Sequence, residues 1–205
     1  MKKYLAAILC MATLLFMNGF PDTIINHSHV EKVSLVEQKV EEARKLYELG
    51  DYEGTIRICN VAIEPDPDAV LAYIYRGRSF DELSRYKRAI SDFDKAIELV
   101  DIFPVTYYFR GNVYNKLGHY ESAISDYDKS VELDPDNADV YSLRNFAYSQ
   151  LNNFNQAVDD ADKAIEPEPN SAVYYQRRGN LYIQYNDAAK AQADFAKAKE
   201  LGYKE

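Results

Sequence analysis

The sequence has no tryptophan, only three histidines and only two cysteines among its 205 residues. Cys10 lies in an apolar run near the N-terminus, so removal of that run on export would leave Cys59 alone. A single cysteine excludes an internal disulfide. We therefore expect the fold to depend on packing, with Cys59 as a small buried apolar side chain rather than a reactive thiol.

The common motifs of catalytic and metal sites are also missing. There is no glycine-rich phosphate loop, no CxxC pair and no HExxH segment. His119 has no recurrent nucleophile near it, and His27 and His29 lack the carboxylate or cysteine framework of a metal site. We therefore expect no catalytic residue, no metal and no cofactor, and we interpret the chain as non-enzymatic.

A surplus of basic charge is absent as well. The 24 lysines and arginines are outnumbered by 33 aspartates and glutamates, which gives a formal net charge of −9, and no basic cluster follows Lys3. Nucleic-acid binding requires a basic surface that neutralises phosphates. We therefore expect no nucleic-acid partner, and we interpret the acidic residues as solvated surface.

Residues 1–19 hold two lysines followed by about 14 apolar residues. This arrangement is typical of a secretory signal peptide, and it is shorter than the ~20 residues that a spanning helix usually needs. Met17 stands where the cleavage site prefers a small residue, so an uncleaved membrane anchor over residues 4–20 is the alternative. We expect an exported protein, periplasmic or extracellular, that contacts a membrane only in the anchored form. Residues 20–35 are interpreted as a linker and the start of the first helix.

What the sequence has in abundance is one pattern at a fixed interval of 34 residues. The interval separates the arginines Arg76, Arg110, Arg144 and Arg178, and the alanines Ala89, Ala123, Ala157 and Ala191. Five units result, over residues 36–69, 70–103, 104–137, 138–171 and 172–205. Within each unit, apolar residues recur at steps of three and four, the period of an α-helix, on either side of a turn that is Gly118 in repeat three. Each unit is therefore predicted to be a helix hairpin that is stable only when stacked on its neighbours.

Small residues are predicted to bring the two helices of a hairpin together. Gly77, Gly111 and Gly179 lie in first helices, and we expect them to face the alanines of the second helices. Repeat four has Asn145 at the glycine position and Ala161 where most repeats have an aromatic residue, which we interpret as an exchange of volume. Paired prolines should end the second helices of repeats one and four about one residue earlier than in repeat three.

A 34-residue helix hairpin with Tyr, Gly, Tyr, Ala, aromatic, Ala and Pro in this order resembles the tetratricopeptide repeat, here over residues 36–205. The resemblance implies an all-α, right-handed superhelical solenoid whose first helices line a concave groove. It also implies a scaffold that binds a protein or an extended peptide in that groove.

We interpret the chain as an envelope assembly adaptor. Two alternatives are a structural array that docks a membrane complex through its convex face, and a regulatory subunit of an enzyme. The sequence does not indicate the oligomeric state.

Two positions of the repeat carry opposite charges, and a repeat has either both charges or neither. Repeats two to five have arginine in the first helix and aspartate in the second, whereas repeat one has Glu42 and Ile58 at these positions. The covariation predicts ion pairs that join first and second helices, within a repeat or between neighbours. They would use Arg76, Arg110, Arg144 and Arg178 with Asp92, Asp126, Asp160 and Asp194.

One stripe of each first helix lies off the face that packs on the second helix, and the resemblance places it in the groove. This first-helix stripe comprises Leu71, Ile74, Arg78 and Asp81; Val105, Tyr108, Asn112 and Asn115; Asp139, Ser142, Phe146 and Ser149; and Val173, Gln176, Asn180 and Ile183. Its side-chain amides can donate to and accept from a peptide backbone. The candidate binding residues are Arg78, Tyr108, Asn112, Phe146, Gln176, Arg177 and Asn180.

The family's carboxylate clamp for chaperone C-termini is matched only in part. Asn112 and Arg177 fit the clamp, but Tyr108, Leu143 and Val173 stand where Lys, Asn and Lys would be expected. A chaperone C-terminal tail is therefore not the expected ligand.

Overall fold

The computed structural model describes residues 27–204, and the predicted signal peptide or anchor lies outside these residues. Ten α-helices and no strand occur in this part of the chain. In chain order they are α1 (His27–Glu48), α2 (Tyr52–Ile63), α3 (Val70–Glu82), α4 (Tyr86–Leu99), α5 (Pro104–Lys116), α6 (Tyr120–Leu133), α7 (Ala138–Gln150), α8 (Phe154–Ile165), α9 (Ala172–Gln184) and α10 (Ala188–Glu200). Odd-numbered helices are the first helices of repeats and even-numbered helices the second, so the predicted all-α solenoid of helix hairpins is confirmed.

Two further features describe the array as a whole. The residues from Val36 onward group into one compact unit. None of the helices between residues 27 and 204 has both the length and the apolar character needed to cross a bilayer.

Each hairpin turns at a residue with a left-handed backbone. The five turn positions are Gly50, Ser84, Gly118, Asn152 and Asn186, with φ between +57° and +79°. Glycine adopts this conformation without strain and asparagine tolerates it, whereas other residues with a Cβ are strained there. In each turn an N–H donates back across the helix end, as from His119 N to Tyr114 O at 2.9 Å. The first helix therefore ends at the same point in every repeat.

The helix pairs meet through a glycine and an aromatic ring. The atoms nearest to each glycine belong to the ring rather than to the alanine series: a Cβ on Gly111 would lie 2.8 Å from Cε1 of Tyr127. The three pairs are Gly77 with Phe93, Gly111 with Tyr127, and Gly179 with Phe195. The alanine four residues before each ring is also fully buried, as Ala123 is in repeat three. The glycine therefore makes room for the ring.

Repeats one and four fill the same place without a ring. In repeat four, Nδ2 of Asn145 donates to the carbonyl oxygen of Ala157 at 2.6 Å, while the small Ala161 stands at the ring position. In repeat one, Ala43 and Cys59 are both fully buried. Burial raises the pKa of the Cys59 thiol to about 12, so this side chain behaves as a small apolar group.

The second helices of repeats one and four end early. They stop at Ile63 and Ile165, two positions earlier in the repeat than α6, which ends at Leu133. The sequence predicted the direction correctly and a difference of about one residue. Glu64 and Glu166, which precede the prolines, still have helical backbone. Pro65 and Pro167 have no N–H to donate to the residue four positions back, so the helical hydrogen bonds end there.

The first helices form an inner row. Helix α5 contacts both α3 and α7, whereas no two second helices among the described ones make a comparable contact. Each first helix also packs on the second helix of the preceding repeat. A row whose members meet lies on the shorter side of a curved stack, so the face of the first helices is the concave one.

Candidate functional site

Four arginines of the first helices bind aspartates of the second helices in one common geometry. Nε of Arg110 donates to Oδ2 of Asp126 at 2.9 Å, and Nη2 donates to Oδ1 at 2.6 Å. The two side chains are 19% and 6% exposed. The same two-point contact joins Arg76 to Asp92, Arg144 to Asp160, and Arg178 to Asp194. Such bidentate pairs fix both partners, so they tie the two helices of each repeat together.

The remaining side of each guanidinium reaches the preceding repeat. Nη1 of Arg110 donates to Oδ1 of Asp94 in α4 at 2.6 Å, and in repeat two the corresponding partner is the amide oxygen of Asn60. The other two bonds run from Arg144 to Asp128 and from Arg178 to Asp162. Each arginine therefore bonds to the second helices of two successive repeats. The signal for this second set was present in the sequence, since these acids recur two residues after the paired aspartates.

Exposed apolar side chains lie on the first-helix stripe in repeats three to five. Val105 is 40% exposed, Phe146 46%, Val173 44% and Ile183 52%. Burying such side chains is worth about 1.5–3 kcal/mol each, and exposed apolar patches mark interaction sites. Of these four, only Phe146 was a candidate binding residue. The other three belong to the stripe, but the sequence argument favoured aromatic and amide groups over aliphatic ones.

Polar pairs join neighbouring first helices along the same face. They connect Asp81 with Lys116, Ser142 with Arg177, and Ser149 with Gln184. Nζ of Lys116 lies 2.7 and 2.8 Å from the two oxygens of Asp81. Arg177, a candidate binding residue, thus already uses one of its N–H groups within the array.

Asn112 is held by a buried tyrosine. Nδ2 of Asn115 lies 3.3 Å from the carbonyl oxygen of Leu143 and 2.9 Å from the hydroxyl of Tyr127, so that hydroxyl accepts from Asn115. The single proton of Tyr127 is then donated to Oδ1 of Asn112 at 2.7 Å. Burial raises the pKa of Tyr127 and keeps the hydroxyl protonated. The oxygen of Asn112 is thus engaged inside the fold, and its amide nitrogen is the group left for a ligand.

Arg78 lies between aromatic rings. Its guanidinium carbon is 4.1 Å from the ring centroid of Tyr47 in α1 and 4.4 Å from that of Phe109 in α5. Its Nε is buried and has no hydrogen-bond partner. Among the residues that the structure describes, no carboxylate is within ion-pair distance of Arg78. Arg78 thus links three repeats by stacking and has no ion-pair partner among these residues.

The last candidates differ in accessibility. Tyr108 is half-buried and packs edge-on against Phe109, with ring centroids 5.2 Å apart. Gln176 is half-buried, and its Nε2 is 3.5 Å from Oδ1 of the exposed Asn180. Gln176 also lines a cavity of about 500 Å³ with Phe195, Ala196, Lys199 and Tyr203. No group of three His, Cys, Asp or Glu side chains placed to hold a metal ion occurs in the described part of the chain.

Comparisons with known proteins agree with this architecture. The family model of the TPR repeat matches residues 111–152. No curated protein sequence matches the chain.

Solved structures resemble most of the chain. MamA from Desulfovibrio magneticus RS-1, from its residue 41 to its end, is similar with a TM-score of 0.76 at 22% identity, over 82% of this chain and 94% of that one. YrrB, described as a TPR protein with an unusual peptide-binding site, is similar with a TM-score of 0.69 at 21% identity, over 80% of this chain and 84% of that one. At this level of identity the likeness shows a common fold.

Proposed function

We propose, on the premise that this chain is a tetratricopeptide-repeat protein, that it is a non-enzymatic scaffold which binds an extended segment of a partner protein. The observation that carries the proposal is the set of exposed apolar side chains on the first-helix stripe, Val105, Phe146, Val173 and Ile183. They lie on α5, α7 and α9, on the concave side of the array. The peptide-binding site described for YrrB supports a peptide as the class of ligand.

The spacing of the helices suits an extended segment. Packed helices lie ~9 Å apart, so the three first helices that carry the apolar side chains span about 18 Å. An extended chain advances ~3.3 Å per residue, and about six residues are therefore enough to cover them. The side-chain amides of Gln176 and Asn180 border the apolar side chains of α9 and offer hydrogen bonds to the backbone of such a segment.

A paired substitution tests the binding face. Phe146→Ser combined with Ile183→Ser should weaken crosslinking of the full chain to its native partner at least tenfold, about 1.4 kcal/mol, with unchanged helical content by circular dichroism. Val61→Ser in α2 is the matched control, because Val61 is 43% exposed on a second helix. Capture that survives the paired substitution but fails with Val61→Ser would favour docking through the convex face.

We infer further that the protein is exported and acts as an adaptor in the periplasm or outside the cell. The two lysines and the apolar run of residues 1–19 support this inference. Mass spectrometry of the native protein should find a mature N-terminus near residues 19–22. An intact chain that stays with the membrane after a carbonate wash would favour the anchor over residues 4–20.

A further inference from the structure

Among the described residues, Arg78 forms no ion pair although two acids follow it on the same helix. Both oxygens of Asp81 accept from Nζ of Lys116, at 2.7 and 2.8 Å. Oε1 of Glu82 accepts from the hydroxyl of Tyr47 at 3.1 Å. Asp81 is thus paired with Lys116, and Glu82 is bonded to the neutral hydroxyl of Tyr47. Neither acid forms an ion pair with Arg78.

Aromatic rings hold this guanidinium in place. Tyr47 and Phe109, which come from the repeats before and after, lie 4.1 and 4.4 Å from it. Its Nε is buried and has no hydrogen-bond partner, and its guanidinium interacts with the hydroxyl of Tyr47 but forms no ion pair within the described part of the chain. A guanidinium that is already stacked loses little further freedom when it pairs with a carboxylate. The Nη edge is therefore a preorganised donor for an anionic group.

A second donor lies at the equivalent position of the next repeat. Asn112 follows Arg78 by 34 residues, on the adjacent first helix α5. Because the hydroxyl of Tyr127 occupies its oxygen, Asn112 has its amide nitrogen left for a ligand. Two adjacent repeats thus present donors on the same stripe, next to the apolar side chains of repeats four and five.

We propose that Arg78 and Asn112 bind an acidic residue within the extended partner segment. The carboxylate pairs with the Nη edge of Arg78, and a neighbouring peptide carbonyl accepts from Nδ2 of Asn112. This inference rests on the proposed function, since it specifies the chemistry of the segment that the groove binds.

An internal acidic side chain fits better than a chain end. The face of the first helices continues past Arg78 in both directions, to Tyr47 in repeat one and to Phe146 in repeat four. A segment can therefore run through the site. The formal net charge of −9 does not attract an acidic segment at long range, so the selectivity comes from the local pairing with Arg78.

Peptide display against the full chain tests the inference. The library is random and is fused at both ends, so that no displayed peptide has a free C-terminus. The wild type should select peptides with Asp or Glu at one fixed position beside apolar residues. Arg78→Gln should lose the acidic preference and keep the apolar one, and Arg78→Lys should retain part of it. Arg57→Gln is the control, because it removes the same charge from the exposed face of α2.

Titration of one selected peptide makes the test quantitative. Replacing its acidic residue by the corresponding amide should weaken binding to the wild type at least tenfold. The same replacement should not weaken binding to Arg78→Gln. Circular dichroism checks that each variant is folded. If Arg78→Gln does not fold, the amide peptide on the wild type and the Arg78→Lys variant still decide the question.

Four outcomes would overturn the inference, and they differ in what they leave standing. If the wild type selects peptides without an acidic preference, the role of Arg78 is refuted but the proposed peptide binding stands. If the wild type selects no peptide, both proposals are refuted. An acidic preference that survives Arg78→Gln would place the anion site elsewhere. Peptides with a free or an amidated C-terminus show whether binding requires the terminal carboxylate. If it does, the ligand of Arg78 is a chain end and not an internal acidic residue.

Discussion

Repeats three and four follow one another along the chain, yet they pack their helices in opposite ways. In repeat three the first helix gives up its side chain at Gly111 to admit the ring of Tyr127. In repeat four the second helix has the small Ala161, and the first helix fills the space with Asn145, whose amide bonds to the carbonyl oxygen of Ala157. The space between the helices is thus filled from opposite sides and with different chemistry.

The ion pairs of the same two repeats do not vary. Arg110 bonds to Asp126 and Arg144 bonds to Asp160 at two points each, with distances between 2.6 and 2.9 Å. Dispersion forces require only that space be filled, so several combinations of side chains are equivalent. A bidentate hydrogen-bonded pair requires fixed atoms at fixed places, and it leaves no such choice.

The largest effect is expected where the two repeats agree. Asp126→Ala and Asp160→Ala each leave a half-buried guanidinium without its bidentate partner, and each should lower the free energy of unfolding by ~3–5 kcal/mol. Asp94→Ala removes a partner that is 53% exposed and should cost under ~1 kcal/mol. Urea unfolding of the three variants measures these differences. A small loss for Asp160→Ala beside a large one for Asp126→Ala would show that the pairs are not equivalent.

A smaller and unequal effect is expected where the two repeats differ. Gly111→Ala places a methyl group 2.8 Å from the ring of Tyr127 and should cost ~1–3 kcal/mol through overpacking. Asn145→Ala meets no ring and loses one hydrogen bond, which is worth about 1 kcal/mol. Thermal unfolding followed by circular dichroism ranks the two variants. The exchange of volume is refuted if Asn145→Ala proves the more damaging.

These cases show what the sequence could predict. A 34-residue interval and a column of charges that covaries are enough to predict the hairpins and to pair Arg110 with an acid. They do not show which side chain meets Gly111, because Ala123 and Tyr127 are four residues apart and lie on the same face of one helix.

The candidate site was harder to predict, because its properties arise between repeats. The rings that hold Arg78 come from repeats one and three, so no pattern within repeat two indicates them. The donor character of Asn112 depends on one proton of Tyr127. Phe146 was a candidate because, like Tyr108, it offers apolar area at low entropic cost, whereas the sequence argument gave no such weight to an aliphatic residue such as Val105.

The smallest effect concerns the turns, which extend the comparison to repeat two. Repeat three has Gly118 and repeat four has Asn152 at the left-handed position, but repeat two has Ser84 with φ of +57°. Ser84→Gly should stabilise the array by about 0.5–1 kcal/mol, and Gly118→Ser should destabilise it by a similar amount. Urea midpoints of both variants check the sign. Equal midpoints would mean that the strain at Ser84 is relieved by its surroundings.

The two aspartates of a second helix have different partners, and this division bears on how the array can change in length. Asp92 pairs with the arginine of its own repeat and Asp94 with the arginine of the next. Loss of residues 104–137 in frame would bring Asp94 against Arg144, another arginine of the same column, and would leave the junction chemically unchanged. Loss of residues 70–103 would set Asn60 against Arg110 in place of Arg76, which Asn60 contacts now, and would likewise leave the junction chemically unchanged. Unequal recombination within the coding sequence can therefore lengthen or shorten the groove by whole repeats from repeat two onward without changing the chemistry of these junctions.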